Sequence, residues 1–310
     1  MISYRAFTAA AGAAFVMISA GTTPASAQSS TATEKLNAYV GCINSLSERA
    51  LDSRTRYFSW APKSGPTGKE RIVYGVYKIS GSADCRKNVE AANAMEPHDA
   101  ALEAAASAYA SAASALEPLL KEADEYYTQE NYKDDRMAKG RALHPRLAAA
   151  WEAFAAADKT LRAATEAIND KRKVEELAAI EAREGRKARY YVEAVMIDAQ
   201  RLFRAQDTDR PDIEAITKAL AAYEATVKSL EEAASADADA KVGSMYVSSA
   251  KSVLVTGKQL MRRIRDKVPY TTGDKMMINA NSGWMVEGSP QRLLRDYNHL
   301  IDAYNRGSRI

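Results

Sequence analysis

Ile213-Glu-Ala-Ile216-Thr-Lys-Ala-Leu220-Ala-Ala-Tyr223-Glu-Ala-Thr-Val227-Lys-Ser-Leu230 is the stretch on which the fold turns. Its six large apolar residues recur at intervals of 3, 4, 3, 4 and 3, which places them on one narrow stripe of an α-helix. Such a helix has to bury that stripe against others. The same alternation runs through Leu36, Tyr39, Ile43, Leu46 and Ala50, through Val242, Tyr246, Ser249, Val253, Leu260 and Ile264, and through Leu294, Tyr297, Ile301 and Tyr304. Between them, residues 98–206 are rich in Ala, Glu, Lys, Arg and Leu, all strong helix formers. Trp151, Phe154, Leu161 and Ile168 supply bulk along an otherwise small-residue face, where alanine lets neighbouring helices approach closely. The pattern predicts an all-α fold, an elongated multi-helix bundle. No composition shift forces a boundary, so residues 28–310 read as a single α-helical domain.

Helix punctuation fits this reading. Thr31 with Glu34 has the capping-box spacing, and Ser289-Pro290 places a cap and a first-turn proline ahead of the last helix, with Gly307 just past its end. Pro97 and Pro211 sit at similar starts, and Asp99, Asp212 and Glu214 fall in first turns, where negative charge suits the helix dipole. Two stretches lack the helical period. Residues 59–70 have turn chemistry, and Arg71-Ile-Val-Tyr-Gly-Val-Tyr-Lys-Ile79 is β-branched and aromatic, which predicts a short extended segment near 71–79. Residues 268–288 mix glycines with Tyr270, Met276, Met277 and Trp284 and read as a long loop of the kind that often carries function.

Of the 310 residues, 46% are hydrophobic, and 43 Lys and Arg face 40 Asp and Glu, so the chain is globular rather than disordered. A net charge of +3 with the signs interspersed does not make the footprint of a nucleic-acid binder. Two cysteines cannot build a disulfide-rich scaffold, and three scattered histidines argue against a histidine-dominated metal centre. No nucleotide, phosphate or hydrolase motif is present, and no cofactor is implied.

The N-terminus carries an address. Arg5 is the lone charge before Glu34, an apolar stretch runs from Phe7 to Ala20, and Pro24-Ala25-Ser26-Ala27 sets alanines at −3 and −1 of a cut before Gln28. Residues 1–27 therefore read as a secretory signal peptide, and the mature chain as a periplasmic protein without a transmembrane segment. Gly41-Cys42 is no lipoprotein box, because Glu34, Lys35 and Asn37 stand in the ten residues before it. In an oxidising compartment Cys42 has one intrachain partner to pair with, Cys85.

The densest run of unusual residues is Tyr126-Tyr127, then Tyr132-Lys133-Asp134-Asp135, then Met137-Ala-Lys-Gly140 and His144-Pro145-Arg-Leu147. It resembles the signature of the YiiG-like proteins, an extracytoplasmic bacterial family whose domain has no assigned function. The ending, Gly288-Ser-Pro290 through Tyr297-Asn298 and Asp302-Ala-Tyr304-Asn305, is similar to that family's C-terminus, so the resemblance spans residues 33–306. Many relatives look like lipoproteins. This chain departs from them in having an Ala-x-Ala site without a usable cysteine, so their anchoring is not carried over. The resemblance implies a helical envelope protein and supplies no substrate or reaction.

Two readings of the run stay open. As a ligand site, Tyr127, Tyr132, Lys133, Asp134, Asp135 and His144 could hold a solute or a metal ion. On one continuous helix, however, Asp135 and His144 would stand about 13–14 Å apart, and a kink at Gly140 or Pro145 would be needed to join them. As structure, Asn131 or Asp134 caps the next helix, Asp135 pairs with Lys139 at i+4, and the tyrosines cover the core. Residues 258–310 hold ten Lys and Arg against five Asp and Glu, a basic end suited to anionic lipid or glycan. The sequence thus points first to a non-catalytic envelope interaction or structural protein with an envelope protein, anionic lipid or glycan as partner. Solute or metal binding in the Tyr126–His144 region is the alternative.

Overall fold

The computed structural model describes residues 24–206, 211–236, 242–280 and 282–307, with side chains from residue 31 to 306. Most of the expected signal segment, and the side chains at the expected Ala27–Gln28 cut, lie outside the described residues. Every regular element among the described residues is helical. None of these helices is long and apolar enough to cross a membrane. The all-α architecture expected from the stripes is what the chain adopts. It condenses into two compact units, one running to Asn169 and the other from Asp170 on, each with its own buried core.

The N-terminal unit is built from α1 (Pro24–Trp60), α2 (Ser82–Asn93), α3 (Ala100–Thr128) and the first part of α4 (Ala138–Glu184). The predicted α1 stripe is buried throughout, from Leu36 and Tyr39 through Ile43 and Leu46 to Ala50. α3 faces it with Ala106, Ala113 and Ala123 between Leu102, Tyr109, Leu116 and Leu120, all buried, so small side chains alternate with large ones as close packing requires. α4 contributes Leu147, Trp151, Phe154 and Leu161. Asp99 caps α3, its carboxylate accepting the N–H groups of Ala101 and Leu102 at 3.1 and 3.0 Å. Thr31, expected as a cap, lies inside α1 instead. A disulfide joins Cys42 on α1 to Cys85 on α2, with both sulfurs in the core and Cα atoms 5.2 Å apart.

Residues 71–79 enter no strand ladder with any other of the described residues. Side chains of α1 take the place of the missing strand. Ser53 Oγ donates to the Tyr77 carbonyl at 2.7 Å and accepts the Tyr77 N–H at 3.0 Å, a two-point bond resembling one rung of a sheet. Arg56 and Trp60, on the same helical face, donate to the carbonyls of Tyr74 and Gly75 at 2.8 and 3.0 Å. Within this strap, residues 71–79, the side chains of Val76 and Ile79 are buried in the core.

The C-terminal unit holds the remainder of α4 with α5 (Ala188–Gln206), α6 (Ile213–Ala236), α7 (Ser244–Arg265), α8 (Thr272–Asn279) and α9 (Pro290–Gly307). The deciding stripe lies on α6, where Ile216, Leu220, Tyr223, Val227 and Leu230 are all buried and Ile213 is half-buried at its start. On α7 the buried line runs through Tyr246, Ala250, Val253 and Leu260, with Ala250 in place of the expected Ser249. At Gly257 an added Cβ would stand 3.1 Å from Leu202 and 3.3 Å from Leu220, so α7 is pressed against α5 and α6. The α9 face is turned relative to expectation: Leu293, Tyr297, Leu300 and Ala303 are buried, while Leu294, Ile301 and Tyr304 flank them. Ser289 caps α9 as expected, accepting the Arg292 N–H at 3.1 Å. Residues 268–288 are partly ordered rather than a loop throughout, since they contain α8 and the 3-10 turn Gly283–Met285.

Candidate functional site

The chain reverses between α3 and α4 within nine residues, and three non-glycine residues there, Glu130, Arg136 and Met137, take positive φ angles of 58°, 55° and 67°. Side chains without a glycine's freedom adopt this region at a cost, so the corner needs anchors. Asp135 is the first. Its carboxylate accepts the N–H groups of Ala138 and Lys139 at 3.2 and 2.9 Å and the Tyr126 hydroxyl at 2.7 Å. Desolvation alone would raise its pKa, but the Lys139 N–H, the Tyr126 hydroxyl and the Ala138 N–H prevail and hold the carboxyl below its ordinary value. Asp135, rather than Asn131 or Asp134, thus caps α4, and Lys139 reaches Glu122 at 3.2 Å instead of pairing with Asp135. Met137 is the second anchor, buried beside Tyr126 and Tyr127. It explains Gly140, where a Cβ would meet Met137 Sδ at 2.6 Å and the Tyr127 hydroxyl at 3.0 Å.

His144 lies inside α4, which runs on through Pro145. Its Nε2 is 3.1 Å from the Lys63 carbonyl and its Nδ1 is 3.0 Å from the Tyr57 hydroxyl. A carbonyl can only accept, so in the neutral ring Nε2 carries the proton and Nδ1 accepts from Tyr57. Both nitrogens are therefore engaged. The ring stacks on Tyr57 at 5.8 Å between centroids and meets the edge of Phe58 at 6.1 Å. Tyr57 in turn packs against Trp60 and Trp151, at 5.2 and 5.3 Å, and Trp60 against Tyr127 at 5.1 Å, which makes one aromatic nest. Burial pushes the Tyr57 hydroxyl up to about 12 and raises that of Tyr127 as well. The loop between α1 and that strap closes over the nest through Gly65, whose φ of +100° and 3.1 Å approach to the His144 ring leave no room for a side chain.

Of the six residues singled out in the sequence, Tyr127 and His144 enter this nest, and Tyr132 lies half-buried with its ring 6.3 Å from that of Tyr127. Asp135 faces backbone N–H groups. Lys133 is exposed and bonded to Glu130, and Asp134 is exposed. Among the described residues no group of three or more His, Cys, Asp or Glu side chains is placed to hold a metal ion.

Sequence reasoning missed a different polar cluster in the same unit. Ser47 Oγ donates to Asp158 at 2.5 Å and lies 2.8 Å from the Tyr109 hydroxyl, and Arg162 Nε closes on the same carboxylate at 2.9 Å. Ser47 and Asp158 are buried, and burial drives the Tyr109 hydroxyl strongly upward. The proton order Tyr109 to Ser47 to Asp158 satisfies every member, with the 3.2 Å contact from Tyr109 to the Cys42 carbonyl as a weaker second bond. The signal was present: Asp158 falls on the stripe of Trp151, Phe154 and Leu161. Lys35 was missed likewise. It is buried next to Leu36, and its ammonium donates to the carbonyls of Met95 and Pro97 at 2.9 and 3.0 Å and pairs with Glu103. That ammonium, followed by His98, holds the Glu103 carboxyl down to about 2.

In the C-terminal unit Glu193 accepts the Tyr304 hydroxyl at 2.8 and 2.9 Å, and burial raises its pKa. Lys173 donates to Gln200 at 2.7 Å with its pKa lowered by burial. These groups stabilise packing between α4, α5 and α9.

Compared with known families, residues 30–306 match the model described as "Protein of unknown function (DUF3829)". The chain is 42% identical over 277 residues to "Uncharacterized protein YiiG" of Escherichia coli (strain K12), an alignment covering 88% of this chain and 78% of that protein. No solved structure matches.

Proposed function

The chain belongs to the DUF3829 family, and from that premise we propose that it is an exported, periplasmic helical protein that works through its surfaces on an envelope partner rather than through a catalytic centre. The observation that carries this reading is the Cys42–Cys85 disulfide, with both sulfurs buried between α1 and α2. Such a bond forms and persists in an oxidising compartment, whereas cytoplasmic thiols stay reduced. The sequence of residues 1–27 supplies a matching route out of the cytoplasm. The buried polar groups support the second half of the proposal. His144, Asp135, Asp158, Lys35 and Glu193 each have their hydrogen bonds directed at neighbouring backbone or side chains, which accounts for them as structure.

Expression of the full reading frame in a Gram-negative host, followed by fractionation and intact mass, tests the proposal. The expected product is periplasmic, begins at Gln28 and carries no free thiol. A cytoplasmic product that retains Met1 and two alkylatable cysteines would sink it.

A further inference from the structure

From residue 262 to 295 the C-terminal unit presents seven Lys and Arg against three Asp and Glu, and the same segment carries a group of its exposed large apolar side chains. Met276 is 68% exposed, Met285 56% and Trp284 44%, with Val268 and Met277 beside them in the chain. α8 buries none of its eight residues, and its exposed faces include both methionines. A helix this short does not persist in water by itself. Here it is fastened at both ends. Thr271 and Asp274 form a reciprocal capping box, at 3.1 and 2.9 Å, and the Ser282 N–H returns to the Met277 carbonyl at 2.8 Å.

The whole segment is then pinned by one side chain. Arg263 donates to the carbonyls of Pro269 and Glu287 at 3.2 and 2.9 Å and lies over the Tyr270 ring at 4.4 Å. Gly288 makes this possible, since a Cβ there would stand 2.9 Å from Arg263 Nε. The fold thus holds methionines and a tryptophan out in water on a built support. Seven cations against three acids leave the segment net positive even with every acid counted, although Asp274 sits in the capping box and Asp266 is paired with Arg265 at 2.8 Å.

We infer that this surface, from Val268 to Met285, docks the protein onto an anionic phospholipid bilayer. The three methionines are flexible and unbranched, which suits disordered acyl chains. Trp284 under the Arg295 guanidinium, at 5.4 Å, is the amphipathic pair that settles at a headgroup boundary. Arg262, Lys267 and Lys275 are exposed around them and match phosphate charge. A second copy of the chain is the poorer occupant, because a symmetric pair would bring two basic rims together. A glycan would leave the methionines without a use.

The inference deepens the proposed envelope role and takes from it only the compartment in which the bilayer lies. Fractionation tests that role and vesicle binding tests this surface, so each can fail alone. The full chain as recovered from expression is sedimented with phosphatidylcholine vesicles, with and without about three parts in ten of phosphatidylglycerol. The same is done with M276S/M277S/M285S and with K267Q/K275Q, whose identical N-termini cancel any other contribution. The expected result is binding that requires phosphatidylglycerol, weakens about tenfold in the triple variant, and falls several-fold in the lysine variant and in 0.5 M salt. All five substituted positions are exposed, so unchanged melting curves certify the fold. Binding indifferent to phosphatidylglycerol, or equal in wild type and triple variant, would overturn the inference. So would a dimer in light scattering that the triple variant abolishes.

Discussion

The corner at Tyr126–His144 and the segment Val268–Met285 are opposites in what their residues do. In the first, tyrosines, an aspartate and a histidine that resemble a binding site are turned inward and bonded to one another and to backbone. In the second, methionines and a tryptophan that resemble core material stand in solvent. The contrast teaches that residue type alone misplaces chemistry when a backbone needs it. A strained reversal with positive φ angles uses polar groups as anchors, and a well-capped short helix can display apolar ones.

The largest effect that bears on this comparison concerns the unit holding the corner. Replacing both Cys42 and Cys85 by alanine, or adding reductant, should lower its stability by about 4 kcal/mol, because a 43-residue loop is no longer closed in the unfolded chain. Thermal melts followed by near-ultraviolet circular dichroism would show this. An unchanged melting temperature in reductant would contradict the disulfide's structural role.

Next in size is His144→Ala, which leaves the Tyr57 hydroxyl and the Lys63 carbonyl without their partner and opens the aromatic nest. About 2–3 kcal/mol should be lost. Gly140→Ala should cost about 1–3 kcal/mol by overpacking against Met137. If His144 were instead a ligand residue on a tolerant surface, its replacement would leave denaturant midpoints in place and change metal- or solute-induced thermal shifts.

These two residues also mark how much could be read in advance. The stripe on α6 was legible because six residues with one period leave no other face to bury, and α1 followed for the same reason. The α9 face was misjudged by one position, since Leu293-Leu294 and Leu300-Ile301 are apolar pairs and periodicity cannot choose between adjacent members. Residues 71–79 have the β-branched and aromatic composition of a strand, but a ladder needs a neighbour, and Ser53, Arg56 and Trp60 supplied one from 15 to 24 residues away in a different kind of element. Every residue of the Tyr126–His144 run was visible in the sequence. The direction of His144 was not, because it depends on Lys63 and Tyr57, distant in the chain. Asp158 could have been found by asking which acid sat on an apolar stripe.

Acid separates the two units by sign. Glu103, held down to about 2 by Lys35, contributes stability that is present above its unfolded pKa near 4.5 and is lost as pH falls toward 2. Glu193 is shifted upward by burial, so its contribution is full below 4.5 and is lost as pH rises through its folded value. Glu103→Gln should therefore destabilise at pH 7 and cease to matter near pH 2. Glu193→Gln keeps an acceptor for Tyr304 and should stabilise modestly at pH 7, by no more than about 1 kcal/mol, with no gain at pH 4. Urea titrations across pH check both, and slopes of the same sign for the two variants would refute the assignment.

The smallest effect on stability is the one that sharpens the comparison most. Met276→Ser and Met285→Ser remove apolar groups that touch little, so folding free energy should change by less than about 0.5 kcal/mol, against several kcal/mol for comparable truncation of Trp151 or Leu147. Exchanging an exposed thioether for a hydroxyl gains some hydration. That gain is limited, because the same side chains are already hydrated in the unfolded state and exposure changes little on folding. Equality of the two melting curves would mean that these methionines are kept for something other than the fold. A loss above 1 kcal/mol would mean that they pack where the structure leaves them open, and the contrast between the corner and the segment would collapse.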